Sequence, residues 1–100
     1  MKTLTLSLKK QWFEKIKSGE KKEEYRENSE YWHRRLYRSM DAHDAEFKQF
    51  DFLVFTLGYP KAGDKERRLV FKNPKIRIGQ GRPELGAELG KNYFVITWEE

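Results

Sequence analysis

The chain has no cysteine, so no disulfide can staple it and no thiolate can act as nucleophile or zinc ligand. Small secreted domains usually lean on disulfides; their absence fits a reducing compartment, and a cytoplasmic protein is the expectation. No apolar run approaches the ~20 residues of a membrane-spanning helix. The stretch Met1–Leu8 is too short and too polar for a signal peptide, so no membrane association is expected. Histidine is scarce. His33 and His43 stand ten residues apart with no cysteine to join them, whereas zinc needs more ligands at closer spacing, so neither metal nor other cofactor is expected. A Gly-x-Ser-x-Gly elbow and a phosphate-binding glycine loop are both missing, which argues against a serine hydrolase and a nucleoside triphosphatase.

What is present fits one domain spanning residues 1–100, expected to be a monomer. Aromatic residues make up 15% of the chain against 37% hydrophobic in all, so bulky rings carry much of any core. The net charge of +5 is unevenly placed: residues 1–40 hold eleven Lys/Arg against six Asp/Glu, and residues 41–100 hold ten of each. The basic stretch is interleaved with Trp12, Tyr25, Tyr31, Trp32 and Tyr37. That mixture suits phosphate attraction with ring stacking; a merely solvated basic surface is the alternative.

Thr3-Leu4-Thr5-Leu6-Ser7-Leu8 alternates as a half-buried strand does. A short helix follows, with Trp12, Phe13 and Ile16 on one face, ended by Ser18-Gly19. Residues 22–27 read as a polar edge strand, and Asn28-Ser29 as the N-cap of a second helix reaching about Ser39. In that helix Trp32, Leu36 and Met40 share a face, and Arg34 and Arg38 another. Residues 41–49 read as a loop, and Phe50–Leu57 as a central strand. Two short strands, 68–72 and 75–78, are split by Asn73-Pro74. Residues 79–90 form a glycine-rich loop and 93–98 a buried closing strand. Leu4, Leu6, Leu8, Phe13, Ile16, Phe52, Val54, Ile76, Val95 and Ile96 are the expected core. The fold class is α+β: five to six mostly antiparallel strands, which favour closure into a small barrel, with two peripheral helices.

The most informative segment is Gly19-Glu20-Lys21-Lys22-Glu23-Glu24-Tyr25-Arg26. Gly19 lets the backbone turn sharply after the helix. In the strand beyond, Glu24 and Arg26 share a face by period two while Tyr25 points away. A lysine, a carboxylate and a guanidinium grouped near a helix end can bind phosphate or a polar base edge. Glu24 can also move a proton, and so can Lys21 if it is partly buried. The alternative is a solvated edge strand with a weak Glu24–Arg26 surface pair.

Gly19, Lys21, Glu24 and Arg26 fit the Gly-x-Lys-x-x-Glu-x-Arg motif of ASCH domains (activating signal cointegrator homology), and the chain resembles that family over nearly its whole length. The similarity includes the strand and Trp-Phe helix before the motif, Glu30-Tyr31-Trp32-His33-Arg34-Arg35-Leu36 after it, and the closing loop from Gly79 to Ala87 with Tyr93-Phe94-Val95-Ile96. The resemblance implies a PUA-like β-barrel with a basic cleft lined by Lys21, Glu24 and Arg26. It also implies an RNA-related role: binding of single-stranded RNA or a modified nucleoside. The alternative is an enzyme with Lys21 and Glu24 as catalytic residues, either a ribonuclease or an amidohydrolase of N4-acetylcytidine. The acetylcytidine hydrolases carry threonine as nucleophile where this chain has Glu24, and a carboxylate cannot replace an activated hydroxyl, which weakens the last reading.

Further candidates for RNA contact are Trp32, Arg34, Arg35, Tyr59, Arg82 and Glu84. Trp32 can stack on a base, although its spacing from Leu36 points to core packing, as is expected of Trp12 and Trp98. Arg34, Arg35 and Arg38 face either phosphates or solvent. Tyr59, between a strand end and Pro60, is placed to project at a rim. Arg82 and Glu84 lie in a loop that can lid the cleft, Glu84 as a second acid or base, or else they are simply solvated. A cleft position for Lys21 implies that its side chain adds little to stability.

Overall fold

Alternation drives the first strand: Leu4, Leu6 and Leu8 are buried while Thr3 and Thr5 are exposed. The computed structural model describes residues 1–41 and 43–100. Along the chain it forms β1 (Thr3–Leu8), α1 (Lys10–Lys17), β2 (Glu24–Glu27), α2 (Glu30–Leu36), β3 (Phe52–Leu57), β4 (Arg68–Gln80) and β5 (Asn92–Glu99). A 3-10 turn, Pro83–Leu85, precedes β5. Among the described residues no helix is long and apolar enough to cross a membrane.

The α+β class holds. Five strands make one mixed sheet in the order β1-β3-β4-β5-β2. That order runs from β1 to β2 as a sheet that is not closed, so the coarser class is what the structure carries and closure into the expected barrel is not shown. β3–β4 and β2–β5 are antiparallel, but β1–β3 is parallel. The chain leaves β1 through α1, β2 and α2 before it returns as β3, and a crossover of that length is what a parallel pair needs.

Two units divide the chain. The first comprises Met1–Glu23, Phe50–Lys75 and Thr97–Glu100; the second comprises Glu24–Gln49 and Ile76–Ile96. In the first unit, register aligns Leu4 with Leu53 and Phe71, and Leu6 with Phe55 and Leu69. This face is the buried one, together with Phe13 and Ile16 of α1. Phe52 and Val54, expected in the core, lie on the opposite face and are only half-buried, as is Ile76 in the second unit. An uninterrupted apolar run carries no phase of its own; pairing with β1 sets which residues turn inward. The two half-strands 68–72 and 75–78 are one strand. Asn73 takes a left-handed φ of 49° within it. Its N–H bonds Asp51 O at 3.0 Å and its side-chain amide bonds Glu99 at 2.7 Å, so the kink is held on both sides and the strand continues. Trp98 is half-buried, with its ring 5.0 Å from Phe55 and 5.2 Å from Phe71.

In the second unit Ser29 caps α2, its hydroxyl accepting from Trp32 N–H at 3.4 Å. The helix stops at Leu36, three residues earlier than its spacing suggests, because Tyr37 turns to extended backbone. Arg38 N–H bonds Glu46 O and Lys48 N–H bonds Leu36 O, both at 2.8 Å, so part of the expected 41–49 loop returns as an extended partner. Ala42 lies outside the described residues. Tyr37 stacks on Phe47 at 4.6 Å, and the fully buried Phe94 meets both rings edge-on. Of the Trp32–Leu36–Met40 stripe only Leu36 is buried.

The register makes a sharp distinction on β3. Phe55→Ala should cost about 3–5 kcal/mol in urea unfolding, whereas Val54→Ala on the other face should cost about 1 kcal/mol or less. Equal losses would mean that the core face is wrongly assigned.

Candidate functional site

In the first unit, α1 ends in a glycine turn that fixes the motif lysine. Gly19 has φ 84°, and a Cβ added there would meet nothing within 4 Å, so the backbone angle and not crowding calls for glycine. Gly19 N–H bonds Ile16 O at 3.1 Å and Lys21 N–H bonds Lys15 O at 2.9 Å, tying Lys21 to the helix end. The Lys21 side chain is 2% exposed. Its ammonium sits 4.5 Å from the centroid of half-buried Trp12. Lys21 is therefore a buried residue, against the expectation of a cleft lysine that contributes little to stability.

In the second unit, β2 is an end strand paired with β5, Glu24 opposite Ile96 and Arg26 opposite Phe94. Period two places Glu24 and Arg26 on one face. Arg26 Nη2 donates to Glu24 Oε2 at 2.9 Å, and the two side chains are only 17% and 7% exposed. The pair is thus not the solvated surface pair that an edge strand suggests. Glu24 Oε1 also accepts from Tyr25 N–H at 3.1 Å.

The Arg26 guanidinium lies 5.1 Å from the Trp32 ring centroid. Arg35, one helical turn beyond Tyr31, lies 5.5 Å from Trp32 and 5.6 Å from Tyr31. Tyr31 and Trp32 meet edge to face at 5.0 Å. Trp32 is half-exposed and Tyr31 is 59% exposed, so both keep ring surface toward solvent. Core packing, the favoured reading of Trp32, gives way to a role as the ring over Arg26.

Tyr25, on the opposite face of β2, packs against Ala87, Tyr93 and Val95. Its hydroxyl accepts from Arg82 N–H at 3.0 Å. A Cβ on Gly81 would fall 2.6 Å from the Tyr25 ring and 2.7 Å from Ala87, so here space, not backbone angle, requires glycine. Arg82 and Glu84 themselves are exposed.

The arginines of α2 are not equivalent. Arg34 Nη2 is 2.7 Å from Glu30. Arg38 is held by Asp44 at 3.0 Å and Glu46 at 2.8 Å. Arg35 alone of the three faces the rings. Tyr59 is 95% exposed and belongs to the first unit, as do Gly19 and Lys21; the other proposed contacts belong to the second. His33 bonds Asn28 Oδ1 and packs edge-on against Tyr37 and Phe94. Among the described residues no three His, Cys, Asp or Glu side chains converge as a metal set. The sequence places Tyr31 and Trp12 among the rings of the basic stretch and Gly81 in the closing loop, but it does not pair Tyr31 with Arg35, Trp12 with Lys21 or Gly81 with Tyr25; the four-residue spacing carries the signal for the first pair, and nothing local marks the other two.

No family model, curated protein or solved structure matches this chain.

Two outcomes follow. Lys21→Ala should destabilise by about 1–3 kcal/mol, because it removes a buried aliphatic stem as well as a charge. Lys21→Met, which keeps the stem against Trp12, should lose clearly less in the same urea titration. If both changes are silent, the lysine is not buried. A second outcome concerns pH. The Arg34 guanidinium holds the Glu30 carboxyl below its usual range, Arg38 does so for Asp44, and Arg67 for Asp64. The unfolded chain therefore takes up protons first as acid is added. Their stabilisation is complete above the ordinary carboxylate range and is lost as pH falls from that range through the lowered folded-state values. Arg38→Gln should flatten part of that acid limb in unfolding midpoints measured against pH; an unchanged limb would show that the pair does not form.

Proposed function

We propose that the protein is an ASCH-type domain that binds single-stranded RNA or a modified nucleoside in the cytoplasm, with the β2–α2 face of the second unit as its recognition surface. The observation that supports this most is the nearly buried Glu24–Arg26 pair beneath Trp32. Desolvating two charges is expensive, and a buried pair seldom adds net stability over an apolar one, so its presence calls for another reason. A base offers one. Its exocyclic amine matches the Glu24 acceptor, its oxygens or a phosphate match the Arg26 donors, and its face matches the Trp32 and Tyr31 rings. Lys21, three residues earlier in the chain, enters this reading through the motif resemblance, and so does a PUA-like barrel as the finer architecture.

Catalysis is the second reading, favoured by the burial of both Lys21 and Glu24, residue types that can serve as acid and base. RNA cleavage ranks ahead of acetylcytidine deacylation, since Glu24 stands where those hydrolases carry threonine.

Fluorescence anisotropy with a labelled single-stranded RNA, at rising salt, tests the binding. Affinity should fall steeply with salt as displaced counterions are released. Trp32→Ala should weaken it about tenfold through lost stacking. Glu24→Gln should change base preference more than salt slope, because it removes no cation. Absence of binding at low salt would refute the reading. Turnover of RNA or of acetylcytidine that disappears in Lys21→Met would move the function to catalysis.

A further inference from the structure

Charge and rings are divided between the units in a way that the linear sequence conceals. The first unit holds thirteen Lys/Arg against eight Asp/Glu and so carries the whole +5; the second holds eight of each. The rings Tyr25, Tyr31, Trp32 and Tyr37 all lie in the neutral unit. Long-range attraction to a polyanion therefore belongs to the first unit, which must have a surface of its own for it.

That unit has a hairpin built to present one ring. β3 and β4 pair as far as Thr56 opposite Arg68, and the connection between them contains Tyr59-Pro60-Lys61-Ala62-Gly63-Asp64-Lys65. Tyr59 is 95% exposed. A tyrosine that buries almost none of its ring contributes nothing to the core. The loop around it is nevertheless tightly held. The Arg68 guanidinium donates to Lys61 O at 2.9 Å, Asp64 O at 2.7 Å and Pro60 O at 3.3 Å. Thr56 Oγ1 donates to Gly58 O at 2.7 Å, and Asp64 takes Arg67 Nη1 at 2.9 Å. Three carbonyls gathered by one guanidinium fix the backbone on both sides of the turn. Tyr59 is thus held out from an ordered loop and is not the tip of a slack one. Order of this kind lowers the entropy lost when a ligand docks. Lys61 and Lys65 are exposed beside it. A groove of about 590 Å³ between the base of this hairpin and α1 is lined by Lys17, Lys65, Arg67 and Arg68 together with Glu14, Asp64 and Glu66, and it does not include Tyr59 or Lys61.

We propose that the β3–β4 hairpin is a second nucleic-acid contact, with Tyr59 stacking on an unpaired base and Lys61 and Lys65 meeting the flanking phosphates. The proposal rests on RNA being the partner but is independent of the β2–α2 face. A single exposed ring flanked by lysines suits a base stack with backbone contacts. Insertion into a bilayer needs a wider apolar face than one tyrosine beside Pro60 and Ala62.

The test is anisotropy with a single-stranded RNA and with an abasic oligonucleotide of the same length. Tyr59→Ala should weaken RNA binding about tenfold, and Tyr59→Phe should restore it, because the ring and not the hydroxyl stacks. On the abasic strand wild type and Tyr59→Ala should bind alike. Lys61→Gln with Lys65→Gln should lower the salt slope by about 1.4, the value for two phosphate contacts on a single strand. Tyr59→Ala binding RNA as wild type does, while Trp32→Ala is impaired, overturns the hairpin contact and leaves the β2–α2 face standing. Wild type that binds no RNA removes both. Tyr59-dependent binding to phosphatidylserine vesicles in place of RNA overturns the proposal in favour of a membrane surface.

Discussion

Everything about the candidate site depends on charge being kept out of water within six residues. Lys21, Glu24 and Arg26 are among the least exposed ionisable side chains of the described residues, although a solvated edge strand is one reading of their segment in the sequence. Ordinary folding does not favour this. A carboxylate and a guanidinium moved out of water recover at best roughly what desolvation costs, and only with good geometry. The 2.9 Å bond from Arg26 to Glu24, the ring of Trp32 at 5.1 Å and the backbone N–H of Tyr25 on the second carboxylate oxygen supply that geometry. The surrounding elements serve the same end. Pairing of β2 with β5 fixes the two side chains on one face, and the Ser29 cap starts α2 where Trp32 comes to lie over the guanidinium.

Much of this was legible in the sequence, where local rules operate. Strict alternation gave β1, a glycine after a helical pattern gave the turn before Lys21, and period two placed Glu24 with Arg26. The parts that were not legible depend on long-range pairing. Phe50–Leu57 is apolar throughout, so only its register with β1 and β4 decides that Leu53 and Phe55 turn inward. Asn73-Pro74 looks like a break, and a single left-handed asparagine turns it into a kink within a strand. The sheet is mixed because β1 and β3 pair in parallel, which no local pattern announces. Trp32 showed the limit of spacing arguments: four residues from Leu36 suggested a core position, yet the helix ends before a third member of the stripe can be buried.

Binding and attraction are assigned to different parts of the chain. The second unit, neutral overall, carries the buried ion pair and the rings to which the proposed function gives base recognition. The first carries the excess charge, a buried lysine and an exposed tyrosine on an ordered hairpin. Recognition by a few desolvated groups gives selectivity, and diffuse lysine charge gives rate and salt-sensitive affinity. A chain of 100 residues has little core to spare for either task, so each functional group is placed by backbone elements that the fold already needs.

The central claim is that the Glu24–Arg26 pair is kept for recognition and not for stability. A double-mutant cycle tests it most directly, with urea unfolding and single-stranded RNA affinity measured on Glu24→Leu, Arg26→Met and the two together. Each single variant leaves one charge buried alone and should be destabilised by about 3–5 kcal/mol, while the double variant should recover most of that loss. All three should lose RNA binding. A double variant that is as unstable as the singles, or one that still binds RNA with wild-type affinity, would contradict the claim.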